Sequence, residues 1–161
     1  MVLFKPTYLI DGDITDIQLD VLAAEGIKGL ICDLDSTLLA PRSGKLDPQC
    51  ESWLQEARQR FKLAVVSNNK NDPYIEQVRQ VLQMPVLHRA AKPSTRLFKK
   101  VRDMWQLEPH EIAVVGDRPL TDVWGGQRAG MKTILVWPLK SMQEPSWVKF
   151  VRRLERVVIK P

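Results

Sequence analysis

A chain of 161 residues is long enough for one domain with a full hydrophobic core, and 44% hydrophobic with 27% charged residues is an ordinary globular balance. No apolar run approaches the roughly 18–20 residues of a membrane span, and two cysteines make neither a metal-spacing motif nor a disulfide framework. The net charge of +5, with an isoelectric point near 9.4, favours anionic partners (phosphorylated metabolites, nucleic acid or an acidic membrane surface) without ranking them.

Residues 1–15 are apolar and aromatic with a single Pro6, which predicts a short helix or extended arm laid over the core. They lack the stretches of a signal or transit peptide, so the chain reads as mature protein of a reducing cytoplasm. Residues 16–25 follow a helical apolar period that ends at Gly26, a C-cap residue. Gly29–Cys32 is a short buried strand that runs into Asp33-Leu34-Asp35-Ser36-Thr37. Pro41, Ser43 and Gly44 mark a loop, and Asp47-Pro48 starts a helix that continues to about Arg60.

Lys62–Val66 is a second apolar strand, stopping at Ser67-Asn68-Asn69. Asp72-Pro73 repeats the helix-start signal, and Tyr74, Ile75, Val78, Val81 and Leu82 give the helix an apolar stripe. Pro85–His88 is a short strand and Arg89–Pro93 a loop. Ser94–Trp105 is a helix with Leu97, Phe98, Val101 and Trp105 inward. Ile112–Val115 forms the next strand, followed by Gly116-Asp117-Arg118 and Thr121-Asp122. A short helix spans 123–129, and Lys132–Val136 is a further strand. The chain closes on a basic helix over 147–158, with Trp147, Val148, Val151, Leu154, Val157 and Val158 at helical spacing among Lys149, Arg152, Arg153 and Arg156.

Strands that alternate with helices and read as continuous apolar runs predict an α/β fold, a parallel sheet covered on both faces. Ligands of such folds bind at the carboxyl ends of the strands. Polar clusters fall there three times, at Asp33/Asp35, at Ser67/Asn68/Asn69 and at Asp117/Asp122. A buried carboxylate costs free energy unless it is paired or bound to a cation, so the clusters point to a reaction centre. Plain structural readings stand beside this one. Ser67 ends a strand, Asn68 and Asn69 shape a turn, Lys92 is a solvated loop lysine, and Asp122 caps the following helix. His88 and His110 lack ligand spacing and read as structural.

These segments resemble the haloacid-dehalogenase (HAD) superfamily of phosphohydrolases over almost the whole chain. Asp33-Leu34-Asp35-Ser36-Thr37 resembles its first motif, Asp-x-Asp-x-Thr, and Ser67 the second-motif hydroxyl. Lys92 resembles the third-motif lysine, and Gly116 to Asp122 the acidic fourth motif. Lys5-Pro6, Gly26 to Gly29, Ser67-Asn68-Asn69 and the run Gly125 to Met131 resemble the YqeG-type branch, which includes phosphatidylglycerophosphate phosphatases.

The resemblance implies a three-layer Rossmann-like fold and a Mg2+-dependent phosphomonoesterase. Asp33 is the implied nucleophile and Asp35 the acid/base. Ser67 and Lys92 complete the catalytic set. The metal would be held by Asp33, Asp35 (through its carbonyl) and Asp117, supported by Asp122. Asn68, Arg118 and Thr37 are candidates for substrate binding, with Arg42 a weaker one.

Family members commonly insert a lid after the first motif or between the second and third. Here those intervals hold only a loop with one helix, and one helix with a short strand, so no separate cap is expected. An open site suits a substrate whose bulk stays outside, such as a phospholipid head group, and the basic terminal helix suits an anionic membrane surface or packs on the domain. The expected function is dephosphorylation of phosphatidylglycerophosphate at the cytoplasmic membrane face by a single 161-residue domain. The alternatives are a soluble phosphate ester or nucleic-acid 3′-phosphate, and a binding scaffold of the same fold with little chemistry. Oligomeric state is not legible.

Overall fold

The apolar runs do become strands, and their side chains divide by alternation between two helix layers. The computed structural model describes residues 5–139 together with Phe150, Arg153 and Leu154. Six parallel strands form one sheet: β1 (Tyr8–Leu9), β2 (Gly29–Cys32), β3 (Lys62–Val66), β4 (Val86–Leu87), β5 (Ile112–Gly116) and β6 (Lys132–Leu135), in the order β1-β6-β5-β2-β3-β4. Leu30, Cys32, Leu63, Val65, Ala113 and Val115 point into one core, under helices α1 (Leu19–Ala24), α2 (Pro48–Arg60) and α3 (Asp72–Leu82). Their alternates Ile31, Ala64, Val66, Ile112 and Val114 point into the other, under α4 (Arg96–Trp105) and the segment after α5 (Trp124–Arg128). Side chains of a strand face opposite sides in turn, so a strand covered on both faces must be apolar throughout.

The local signals act as the sequence predicts, with small shifts. Gly26 closes α1 at φ +87°, a conformation that costs a residue with a Cβ. Asp47 accepts from the Gln49 N–H at the start of α2. At α3 the cap is Asn71, whose side chain accepts from the Tyr74 N–H, and Asp72 is already helical and pairs with Arg89 instead. The predicted cap at Asp122 is displaced, because residues 119–123 form a turn of π-helix that leads directly into α5 and places Asp122 inside it, fully buried. The N-terminal segment differs as well. Tyr8 and Leu9 pair with Ile134 and Leu135 as an edge strand, and residues 14–16 form a 3-10 turn capped by Asp13, so the predicted helix starts at Leu19 and not at 16.

The intervals between β2 and β3 and between β3 and β4 hold a loop with α2, and α3 alone. Burial pushes the Cys32 thiol up to about 12 and that of Cys50 to about 11, so both act as core hydrophobes. Residues 1–4 of the arm, and the helix expected over 147–158 apart from Phe150, Arg153 and Leu154, lie outside the described residues. Those three are helical and exposed. No described helix is long and apolar enough to cross a membrane.

The chain steps outward from β2 through β3 to β4, then returns to the other side of β2 for β5 and β6. The reversal leaves a crevice between the carboxyl ends of β2 and β5, where the sheet's strand order switches.

Candidate active site

Asp33 and Asp117 each follow one of the two strands that flank this crevice. The Asp33 N–H continues the ladder by donating to the Val115 carbonyl at 2.8 Å, which fixes its side chain at the sheet end. A tight turn follows. The carbonyl of Leu34 accepts from the N–H groups of Thr37, Leu38 and Leu39, with Ser36 buried at φ 68°. The turn buries Thr37, whose hydroxyl donates to Asp117 Oδ1 at 3.3 Å. Asp33, Asp117 and Asp122 each bring a carboxylate oxygen within 4.8 Å of the others.

Gly116 makes this convergence possible. A Cβ at that position would lie 2.2 Å from the Asp122 carboxyl carbon, inside the space that Asp122 occupies. Asp122 Oδ2 accepts from the Arg118 N–H at 3.2 Å, and this contact holds the π-turn over the strand end.

Lys92 enters from the loop after β4. Its main chain is fixed by Asn68, which accepts from the Lys92 N–H at 2.7 Å and donates to its carbonyl at 3.3 Å. The Lys92–Pro93 peptide is cis. The ammonium is buried and donates to Asp33 Oδ1 at 2.8 Å and Asp122 Oδ1 at 2.7 Å. Burial alone would lower its pKa, but the Asp122 and Asp33 carboxylates outweigh that and hold it above the ordinary lysine value. Burial, then the charge of Asp33, pushes Asp122 up against the pull of Lys92.

Asp35 faces away from the three carboxylates toward α3. Asn69 Nδ2 donates to its Oδ2 at 3.0 Å, and the Tyr74 hydroxyl donates to its Oδ1 at 3.2 Å. Burial raises its pKa, and the Asp33 charge adds to this, while the two hydrogen bonds and Lys92 oppose it. The result is a carboxyl inclined to hold a proton beside one paired to an ammonium. A carboxyl whose pKa is raised by burial is suited to act as an acid.

The structure therefore gathers Asp33, Thr37, Lys92, Asp117 and Asp122 in one cluster, with Asp35 alongside. Ser67 is buried at the end of β3, where its hydroxyl accepts from the Asn69 N–H at 3.1 Å. Two expected substrate contacts have other occupations: the Asn68 side chain is taken up by Lys92, and Thr37 by Asp117. Arg118 is half-buried beside Asp117, and Arg42 is exposed at φ 58° near Tyr74. Asn69 and Tyr74 were missed as partners of Asp35. A tyrosine in an apolar stripe still needs a partner for its hydroxyl when it is half-buried, and that was the available signal.

Residues 2–140 match the model of the mitochondrial PGP phosphatase family. The chain belongs to this family. Among its relatives, the probable phosphatase YqeG of Bacillus subtilis is 32% identical over 91% of this chain and 85% of its own length. The phosphatidylglycerophosphate phosphatase 1 of Arabidopsis thaliana, described as chloroplastic/mitochondrial, is 33% identical over 92% of this chain. The chain spans 45% of that plant protein and 58% of a Chlamydomonas reinhardtii counterpart.

Solved structures share the fold. A haloacid dehalogenase-like hydrolase of Streptococcus pneumoniae superposes with a TM-score of 0.57 at 13% identity, over 78% of this chain and 98% of its own. A heptose bisphosphate phosphatase of B. bronchiseptica, complexed with magnesium and phosphate, gives 0.56 at 14%, over 68% and 80%. The protein is a phosphatase, a phosphoric monoester hydrolase of the PGP phosphatase family, and it has a HAD-like fold.

Proposed function

We propose that the protein hydrolyses phosphatidylglycerophosphate to phosphatidylglycerol through an aspartyl-phosphate on Asp33, with Mg2+ as cofactor. The observation that carries this reading is the convergence of Asp33, Asp117 and Asp122 at the sheet's switch point. The donors suit the metal. Three hard carboxylate oxygens lie within 4.8 Å of one another, and Lys92 pairs with Asp33 and Asp122. Oxygen ligands of this kind favour a hard divalent cation. Asp33, Asp117 and Asp122 would hold it, with the carbonyl of Asp35 as the family pattern implies. When bound, the cation would neutralise charge on the phosphoryl oxygens.

The chain's own groups divide the work. An Asp33 oxygen attacks phosphorus, and the bond from phosphorus to the lipid's glycerol oxygen breaks. Asp35, whose pKa burial raises, gives its proton to that oxygen. Asp35 then takes a proton from water as the water oxygen attacks phosphorus. Inorganic phosphate leaves and Asp33 is regenerated. Lys92 orients the Asp33 carboxylate, and the Ser67 hydroxyl binds a phosphoryl oxygen.

The absence of an inserted lid leaves room for a bulky lipid, and the whole chain acts as one catalytic domain. Exposed Leu120, Trp124 and Trp137 follow the same strand ends, and net positive charge favours an anionic membrane, which supports action at its surface. The test is phosphate release from phosphatidylglycerophosphate in mixed micelles. Wild-type protein should turn over with Mg2+ and stop with chelator, and Asp33→Asn should lose at least about a thousandfold, in line with loss of a covalent nucleophile. Efficient hydrolysis of a soluble phosphate ester with none of the lipid overturns the substrate assignment.

A further inference from the structure

Asn69 and Tyr74 do more than hold Asp35, because both also line a groove of about 570 Å³ whose other walls are Arg42, Lys70 and Asn71. We infer that this groove is a subsite for a second anionic group of the substrate, a phosphate that is not transferred, held by Arg42 and Lys70. The inference rests on the phosphatase reading above, which makes Asp35 the group that protonates the leaving oxygen. The leaving alcohol must then emerge at Asp35, and the groove adjoins that carboxyl through Asn69 and Tyr74. An anion a short carbon chain beyond the leaving oxygen falls between the two cations. In phosphatidylglycerophosphate that anion is the phosphodiester, one glycerol away from the monoester.

The backbone at Arg42 points the same way. Its φ of 58° lies in the left-handed region, as does Gly44 at 59° two residues on. Glycine fits this conformation without cost, whereas a long branched cation does not. Residues held in such conformations cluster at functional sites. The loop is braced to receive it, since Gly44 packs against Gln77 of α3, one turn from Tyr74. Arg42 is exposed and makes no ion pair among the described residues, unlike Arg89 and Arg60. Its planar fork suits a phosphate bidentately, and Lys70 adds a point charge. A larger groove near Trp137 is rimmed by Asp11, Asp13, Asp16 and Asp47, the wrong sign for this ligand.

The test compares substrates on Arg42→Gln and Lys70→Gln protein at low ionic strength, where exposed cations act most strongly. Dioctanoyl phosphatidylglycerophosphate and fructose 1,6-bisphosphate carry a second phosphate, one as a lipid phosphodiester and one as a soluble ester. Glycerol 3-phosphate and p-nitrophenyl phosphate do not. Each variant should raise KM for a doubly anionic substrate about tenfold more than for a singly anionic one. Selective loss on the lipid alone identifies the phosphodiester, and loss on both identifies any second phosphate. An equal change on all four substrates, or on none, overturns the subsite and leaves the phosphatase intact.

A second measurement is independent of turnover. Asp33→Asn protein should bind glycerophosphoglycerol, a phosphodiester with no monoester to cleave, and Arg42→Gln in that background should weaken binding about tenfold. No binding, or binding indifferent to Arg42, also overturns the subsite. If wild-type protein cleaves none of the esters, the phosphatase reading fails, and the binding result alone decides the groove.

Discussion

The Tyr74 hydroxyl donates to Asp35 Oδ1 at 3.2 Å, which ties the first turn of α3 to the carboxyl that follows β2. This bond favours the ionised carboxylate and so opposes the rise that burial imposes on Asp35. Tyr74→Phe should therefore raise the Asp35 pKa further and leave its rotamer less fixed. The expected result is a fall of about three- to tenfold in kcat, about 0.6–1.4 kcal/mol of lost positioning, with the limb of the pH–rate profile assigned to Asp35 moved to higher pH. A purely structural Tyr74 would change stability and leave that limb in place.

Lys92 lies between Asp33 and Asp122, both largely withdrawn from water. Removing one partner from a buried ion pair leaves a charge without compensation, at a typical cost of about 3–5 kcal/mol. Lys92→Met keeps much of the volume and deletes the charge. In chelator the variant should unfold at markedly lower urea than wild type, and millimolar Mg2+ should recover part of the difference, because the cation replaces the lost positive charge. Recovery by Mg2+ and not by an equal ionic strength of NaCl separates site binding from screening.

The strands were legible because burial on both faces forces continuous apolar runs. The bounds of β2 and β3 were read to the residue, and β5 and β6 to within one. β1 was not legible. Two residues carry no period, and Tyr8 and Leu9 become a strand only because β6 offers an open edge. Sheet order was equally hidden, since it depends on which strand ends meet after folding. In the site, the acidic residues announced themselves by following apolar strands. The companions of Asp35 did not, because Tyr74 sits in a stripe that helix periodicity assigns to the core, and Asn69 sits in a turn where asparagine is common. The capping signal at Asp122 misled for a local reason. Pro119 opens a π-turn that continues into α5, so no N-cap position exists there.

The raised pKa of Asp35 has a stability consequence that can be measured in metal-free protein. The folded state holds the proton above the ordinary Asp value of 3.8, while the unfolded chain releases it there. Between the two values the folded state binds more protons, so stability falls as pH rises through that window and stays lower above it. Asp35→Asn cannot ionise, its amide oxygen still accepts from Asn69, and the Tyr74 hydroxyl can rotate to accept from its NH2. The variant should match wild type in thermal midpoint below the ordinary Asp value, and exceed it at neutral pH. A gain that is constant with pH would mean that packing, and not the charge of Asp35, sets the difference.

Gly116 gives the sharpest link between backbone and the proposed metal site. Its missing side chain is the space that the Asp122 carboxyl fills, and the shortest approach a Cβ would make is 2.2 Å. Gly116→Ala must push Asp122 out, because the strand is held on both sides by β2 and β6 and cannot move. Overpacking of this kind costs about 1–3 kcal/mol of stability, which a domain with a large core survives. The metal site would lose one of its three carboxylates, and Lys92 one of its two partners. Gly116→Ala protein should fold with native circular dichroism, need at least about tenfold more Mg2+ for half-maximal activity (~1.4 kcal/mol of cation affinity), and retain some turnover at saturating metal. A Mg2+ activation curve unchanged from wild type would remove Asp122 from the metal's surroundings and leave it as a partner of Lys92 alone.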